Sequence, residues 1–237
     1  MLETTRIEGA SPTLLFLHEG LGSVSAWRDF PARLAAATGC AALVFSRAGY
    51  GRSPRKPGPW PVEFMHDEAA SLAVDPDSIL VGHSDGASIA LLYAAQHPVR
   101  ALILEAPHVF VEDKTVASIA LLGDEVRARL RRHHDHADET FAAWRDVWLR
   151  PDFRRWNIEA CLPRVHAPAL VIQGEDDEYG TVAQVDAIRR QLGAPCQTLL
   201  LPECGHAPHR DQPERTLAAM RAFIQSMTTT SSGGGSA

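Results

Sequence analysis

The segment Gly82-His83-Ser84-Asp85-Gly86 constrains this chain more than any other, because it joins the apolar run Ser78-Ile79-Leu80-Val81 to the helix-like run Ala87-Ser88-Ile89-Ala90-Leu91-Leu92. A Gly-x-Ser-x-Gly turn between a strand and a helix is a nucleophile elbow. Both flanking positions need glycine, because a nucleophile held in a strained backbone conformation leaves no room for neighbouring side chains. Ser84 then projects alone from the end of a sheet. Its hydroxyl is a weak nucleophile near neutral pH, so the turn implies chemistry only with a base, an orienting acid and an oxyanion site. Taken alone, a serine at a helix start is also an ordinary N-cap.

The companions are present in order. The apolar segment Gln197-Thr198-Leu199-Leu200-Leu201 runs into the turn Pro202-Glu203-Cys204-Gly205-His206-Ala207-Pro208, which puts His206 on a loop just beyond a strand. Upstream, Ala169-Leu170-Val171-Ile172 ends in Gln173-Gly174-Glu175-Asp176-Asp177-Glu178, a cluster of carboxylates at another strand tip. One of them can orient the imidazole, and the rest form a solvated loop. The chain order serine, acid, histidine separates this arrangement from two other serine hydrolase architectures.

On these motifs the chain resembles α/β-hydrolase-fold proteins of the small esterase type over nearly its whole length. His18-Glu19-Gly20-Leu21-Gly22 resembles the oxyanion loop after an early strand, and Arg47-Ala48-Gly49-Tyr50-Gly51-Arg52-Ser53 resembles the turn after the next. The resemblance implies a catalytic set of Ser84, His206 and Asp177, the acid falling three residues after Gly174. Asp176 is the alternative, and Glu105 ends the strand where some relatives keep their acid. It also implies backbone N–H donors at Asp85 and in the early loop. There Glu19 replaces the usual glycine, so counting from His18 selects Gly20, whereas matching Gly-Leu-Gly selects Leu21. Asp85 is accounted for by the helix dipole. Read functionally, Asp85 and Glu19 together predict that neutral esters outperform acidic ones.

The implied activity is hydrolysis of a small carboxylic ester through an acyl-enzyme, without metal or organic cofactor. Thioesters, lactones and carbon–carbon bonds yield to the same groups, and a hydrolase-derived receptor or a cofactor-free oxygenase shares the fold. A net charge of −6 without a basic block argues against a nucleic-acid partner. No run approaches the roughly 20 apolar residues of a membrane helix. Residues 1–8 lack the pattern of a secretory leader, which makes the cytoplasm the default. The expected partner is a small ester-like molecule, with a homodimer compatible with the chain. Cys40, Cys161, Cys196 and Cys204 show no Cys-x-x-Cys spacing and read as free thiols. His133-His134-Asp135-His136 cannot aim three imidazoles at one point from a helix, so no metal is expected there.

Apolar runs at 14–17, 41–45, 79–81, 101–104, 170–172 and 198–201 alternate with helical patterns at 27–37, 62–73, 87–96, 182–192 and 214–224. The alternation predicts an α/β fold with a mostly parallel sheet of about six strands covered on both faces. With little chain before Thr13, the first two strands of a full-length relative are expected to be abbreviated or missing. Between Pro107 and Pro168 the alternation gives way to short helices at 115–122, 124–132, 138–149 and 153–162, resembling the family's helical cap. The expected division is therefore a core of residues 1–106 and 168–227 with a cap of 107–167 roofing the serine. Phe141, Trp144, Trp148, Phe153 and Trp156 are expected to divide between cap core and a mostly apolar substrate pocket. The polar, glycine-rich residues 228–237 read as a flexible tail.

Overall fold

The computed structural model describes residues 1–229. Strands β1 (Thr4–Ile7), β2 (Ala10–Leu17), β3 (Cys40–Phe45), β4 (Ile79–His83), β5 (Ala101–Glu105), β6 (Ala169–Gly174) and β7 (Cys196–Leu201) form one sheet. Their order is β1-β3-β2-β4-β5-β6-β7, parallel throughout except that β1 pairs antiparallel with β3. The sheet thus has seven strands, where the apolar runs suggest about six. The extra one is β1, an exposed edge whose Thr-Thr-Arg-Ile sequence shows little hydrophobic pattern. The N-terminal strands are accordingly less curtailed than expected, since β2 itself starts at Ala10.

The central strands β4 and β5 are buried at every residue, which explains their unbroken apolar sequence. Leu14, Phe16, Ile79, Val81, Ile103 and Ile172 face one side of the sheet. There α1 (Phe30–Thr38) and α9 (Pro213–Thr229) cover them. The alternate residues Leu15, Leu17, Leu80, Leu102, Leu104 and Val171 face the other side. That side is covered by α2 (Phe64–Ala70), α3 (Asp85–Ala94) and α7 (Val182–Gln191).

Between β5 and β6 lie α4 (Asp113–Ala120), α5 (Asp124–Leu130) and α6 (Ala137–Leu149). The helix expected over 153–162 is instead two 3-10 turns, Phe153–Arg155 and Glu159–Arg164. Pro163 sits inside the second and denies an N–H to any longer helix. The short helix α8 (Pro208–Asp211) follows the loop after β7. Of the expected flexible tail, Thr228 and Thr229 extend α9, and 230–237 lie outside the described residues. Among the described residues, no helix is long and apolar enough to cross a membrane.

The first turn of α3 crosses directly over the end of β2. A methyl group added at Gly86 would run into the carbonyl oxygen of Leu17 and approach that of His18. These are backbone atoms and cannot swing aside. Gly86→Ala is therefore expected to lower stability by about 1–3 kcal/mol, seen as a lower urea midpoint at unchanged slope. An unaltered midpoint would show that α3 and β2 do not meet this closely.

Candidate active site

Because β4 to β7 run parallel, their carboxyl ends lie in one row, and the loops leaving them carry Ser84, Glu105, Asp177 and His206. Ser84 has φ 53 and ψ −119, a left-sided backbone conformation that a non-glycine residue holds only when its surroundings enforce it. Two constraints do so: its N–H donates to the Glu105 carbonyl at 2.9 Å, and Gly82 and Gly86 let β4 and α3 close on one another. The Ser84 side chain lines a cavity of about 600 Å³ that is also lined by His206.

The carboxylate beside His206 is that of Asp177. The Nδ1 of the imidazole lies 2.8 and 2.9 Å from the two oxygens of Asp177. Asp177 also accepts from the N–H groups of Tyr179 (2.7 Å) and Gly180 (3.1 Å) and from the Gln173 amide (2.6 Å). Burial opposes its ionisation. The His206 imidazole and then the Tyr179 N–H outweigh burial and hold the carboxyl well below the usual range. With Nδ1 committed to Asp177, Nε2 lies on the opposite side of the ring. Asp176 is exposed, and its N–H donates to Cys204. Glu105 is fully buried on a different imidazole, 2.7 Å from Nδ1 of His209.

Two further acid–imidazole contacts, which the sequence reading did not single out, lie behind His206. His209 holds Glu105 ionised despite its burial. His83 Nε2 donates to the His206 carbonyl at 2.7 Å, while its Nδ1 faces Glu19 Oε2 at 3.4 Å. Burial again opposes ionisation of Glu19, and His83 outweighs it. The rings of His83 and His206 are 5.0 Å apart, and those of His83 and His209 5.2 Å. His108 lies 5.8 Å from His206 and is kept neutral, lowered to about 3 chiefly by burial and then by His206. Isolated histidines outside a motif give no sequence signal, and His83 differs only in lying next to the elbow serine.

The early loop forms a tight turn in which the Gly22 N–H donates to the Glu19 carbonyl at 3.1 Å and Leu21 takes φ 61. Arg47 holds this turn from below. Its Nη2 donates to the carbonyls of Glu19 (3.1 Å) and His18 (3.3 Å), while Nη1 is bonded to buried Glu68. Since a trans peptide points its N–H opposite its C=O, the grip on the Glu19 carbonyl turns the Gly20 N–H away from Arg47. Gly20 also lies against the indole of Trp144, so closely that an added methyl would overlap it.

Trp144 belongs to α6 and donates from Nε1 to Asp85 Oδ2 at 2.7 Å. Asp85 is fully buried, and its Oδ1 has no partner. Burial raises its carboxyl to about 6, against the opposing pull of Arg47. Of the five cap aromatics, Trp144 and Trp148 line the cavity; Phe153 and Trp156 stack in the core at 5.6 Å, and Phe141 packs with Leu130 and Ala137. The wall is not mostly apolar. Beside Leu21, Ile119, Leu122 and Val126 it carries Glu178, Arg28, Arg129 and Arg210. His134 is buried and accepts the Gly51 N–H at 2.9 Å.

A mostly parallel sheet whose elbow serine, acid and histidine loops emerge at one edge, with helices inserted before the acid's strand, defines the α/β-hydrolase fold. Residues 14–219 match the alpha/beta hydrolase family, and the chain belongs to it. Solved structures with the same fold include a thermophilic esterase from Thermogutta terrifontis, 20% identical, with 95% of this chain and 93% of that chain covered at a TM-score of 0.74. An esterase from Exiguobacterium antarcticum is 16% identical over 94% and 95%, at 0.73. A monoacylglycerol lipase from Paleococcus ferrophilus is 18% identical over 96% and 99%, at 0.69.

The raised carboxyl of Asp85 has a measurable consequence. In the unfolded chain it titrates near 3.8 and in the folded chain near 6, so the folded form holds the proton more tightly between those values. Its contribution to stability therefore declines as pH rises from about 4 to about 6 and is constant beyond. Asp85→Asn keeps an acceptor for Trp144 without the charge. Its stability relative to wild type should rise across that interval and level off, by roughly 1–3 kcal/mol in all. Parallel stability curves for the two proteins from pH 4 to 8 would refute a buried titration at this site.

Proposed function

We propose that the chain hydrolyses small carboxylic esters through an acyl-enzyme on Ser84. The observation that carries the reading is the Asp177–His206 contact, which commits Nδ1 and leaves Nε2 as the basic atom of an imidazole lining the same cavity as Ser84. His206 takes the hydroxyl proton as Ser84 attacks the acyl carbon, and Asp177 fixes the tautomer and stabilises the imidazolium. The oxyanion is received by the N–H of Asp85, at the start of α3, and by that of Gly20. Arg47's hold on the Glu19 carbonyl favours Gly20 over Leu21 as this second donor. The alcohol leaves with the proton from His206. Water then attacks the acyl-enzyme with His206 again as base, and Ser84 is regenerated.

Steady turnover of p-nitrophenyl acetate and butyrate is the expected result, abolished in Ser84→Ala. Asp177→Asn should lower kcat by roughly 10⁴-fold, whereas Asp176→Asn stays near wild type. Collapse in Asp176→Asn with activity retained in Asp177→Asn would reassign the acid. A single stoichiometric acylation without turnover would replace the enzyme by a receptor.

A further inference from the structure

Three arginines from separate elements converge on the cavity: Arg28 after the first 3-10 turn, Arg129 on α5, and Arg210 on α8, four residues past His206. All three are exposed, and among the described residues none forms an ion pair, whereas Arg33, Arg55, Arg131 and Arg150 are tied to carboxylates. Free guanidiniums occur elsewhere on the surface; these share the rim of one cavity. Arg129 and Arg210 both lie near enough to Tyr179 to oppose the rise that burial imposes on its hydroxyl, and the Tyr179 ring is 4.7 Å from that of His206.

Two of the three acids on the same wall lie below its exposed surface. Asp85 is fully buried and the Glu19 side chain is only 18% exposed, so both carboxylates sit deeper than the exposed guanidiniums. Among the described lining residues, Glu178 is left as the carboxylate facing the cations, and its Oε2 accepts the His206 N–H at 3.3 Å. His133 lies on the same rim. The lining as a whole balances three arginines against Glu19, Asp85 and Glu178, but on the exposed rim three cations face one carboxylate, and a guanidinium presents paired donors that match an oxyanion.

We propose that Arg28, Arg129 and Arg210 form a subsite for an anionic group, a carboxylate or phosphate, at the end of the substrate remote from the scissile bond. The substrate class becomes esters with a distal anion, a refinement that rests on the ester-hydrolase reading above. Position matters here: a charge remote from the reacting carbonyl meets the rim cations without burdening the developing oxyanion.

The test separates binding from turnover. In Ser84→Ala protein, calorimetry should show monomethyl adipate binding more tightly than methyl hexanoate, which has the same chain without the carboxylate. Adding Arg129→Gln and Arg210→Gln should weaken monomethyl adipate about tenfold and methyl hexanoate less than about twofold. Arg6→Gln with Arg221→Gln removes equal charge away from the cavity and should leave both affinities unchanged. With Ser84 intact, p-nitrophenyl hydrogen adipate should exceed p-nitrophenyl hexanoate in kcat/KM, and the Arg129/Arg210 double variant should erase the advantage through KM. Inorganic phosphate as competitor tells the two anions apart: displacement of monomethyl adipate at matched concentration assigns both, and failure to displace assigns the carboxylate. Equal affinity for the two methyl esters, or equal loss in the distant control, would overturn the subsite. If neither p-nitrophenyl ester is turned over while the calorimetric pattern holds, the ester-hydrolase reading falls and the anion subsite stands.

Discussion

The close passage of α3 over the end of β2 is the contact on which the rest of the site depends. Gly86 lies against the carbonyls of Leu17 and His18, so the elbow and the loop that follows β2 are held in one backbone contact. That contact places Ser84 at the sheet edge and brings the Gly20 turn beside the N-terminus of α3, where N–H groups have no partner within the helix. Arg47 completes the arrangement from underneath, spending its guanidinium on the carbonyls of that turn and on Glu68. The same region therefore fixes both an alcohol and the polar surroundings of the carbonyl it would attack.

Behind His206 the molecule buries acid–imidazole contacts in close succession: Asp177 with His206, Glu19 with His83, and Glu105 with His209. Such contacts contribute little net stability, because burying a carboxylate costs much of what its contacts return. Their effect is orientational. The His83 Nε2 proton is committed to the His206 carbonyl, so the loop bearing His206 is held from its backbone as well as from its side chain. His209 stays behind the site; His83 reaches the cavity wall with Nε2 already given to the His206 carbonyl, and His206 lines the cavity with Nδ1 given to Asp177. The unpartnered oxygens of Glu105 and Asp85 show that this region accepts incomplete hydrogen bonding for the sake of placement.

Much of this was legible in the sequence, and the reasons differ from part to part. The parallel strands were visible because strands buried on both faces read as continuous apolar runs, and the elbow because backbone crowding demands glycines at fixed spacing. β1 escaped notice because an exposed edge strand needs no hydrophobic pattern. The 3-10 turns at 153–164 passed for a helix because their buried apolar residues recur at helical spacing. The chain order led to His206 and its acid, since each sits just past an apolar run. Glu19–His83 and Glu105–His209 join residues more than sixty positions apart, and only the register of the sheet brings them together. The rim arginines were hidden for the same reason: three isolated cations on three elements form a feature only once the cap is folded down.

The helices between β5 and β6 are fastened unevenly. Along α6, Glu139 holds Arg55, Thr140 donates to the Gly49 carbonyl, and Trp144 reaches Asp85. Along α4, Lys114, Thr115 and Ser118 each donate to a backbone carbonyl of the acid loop. By contrast α5 leans on its neighbour through Arg127, which faces Asp138 and stacks on Phe141. The roof thus has two riveted panels and one hung leaf, and the leaf is the panel that bears Arg129. An arriving anion would find one counter-charge, Arg129, on that leaf and two, Arg28 and Arg210, on the frame.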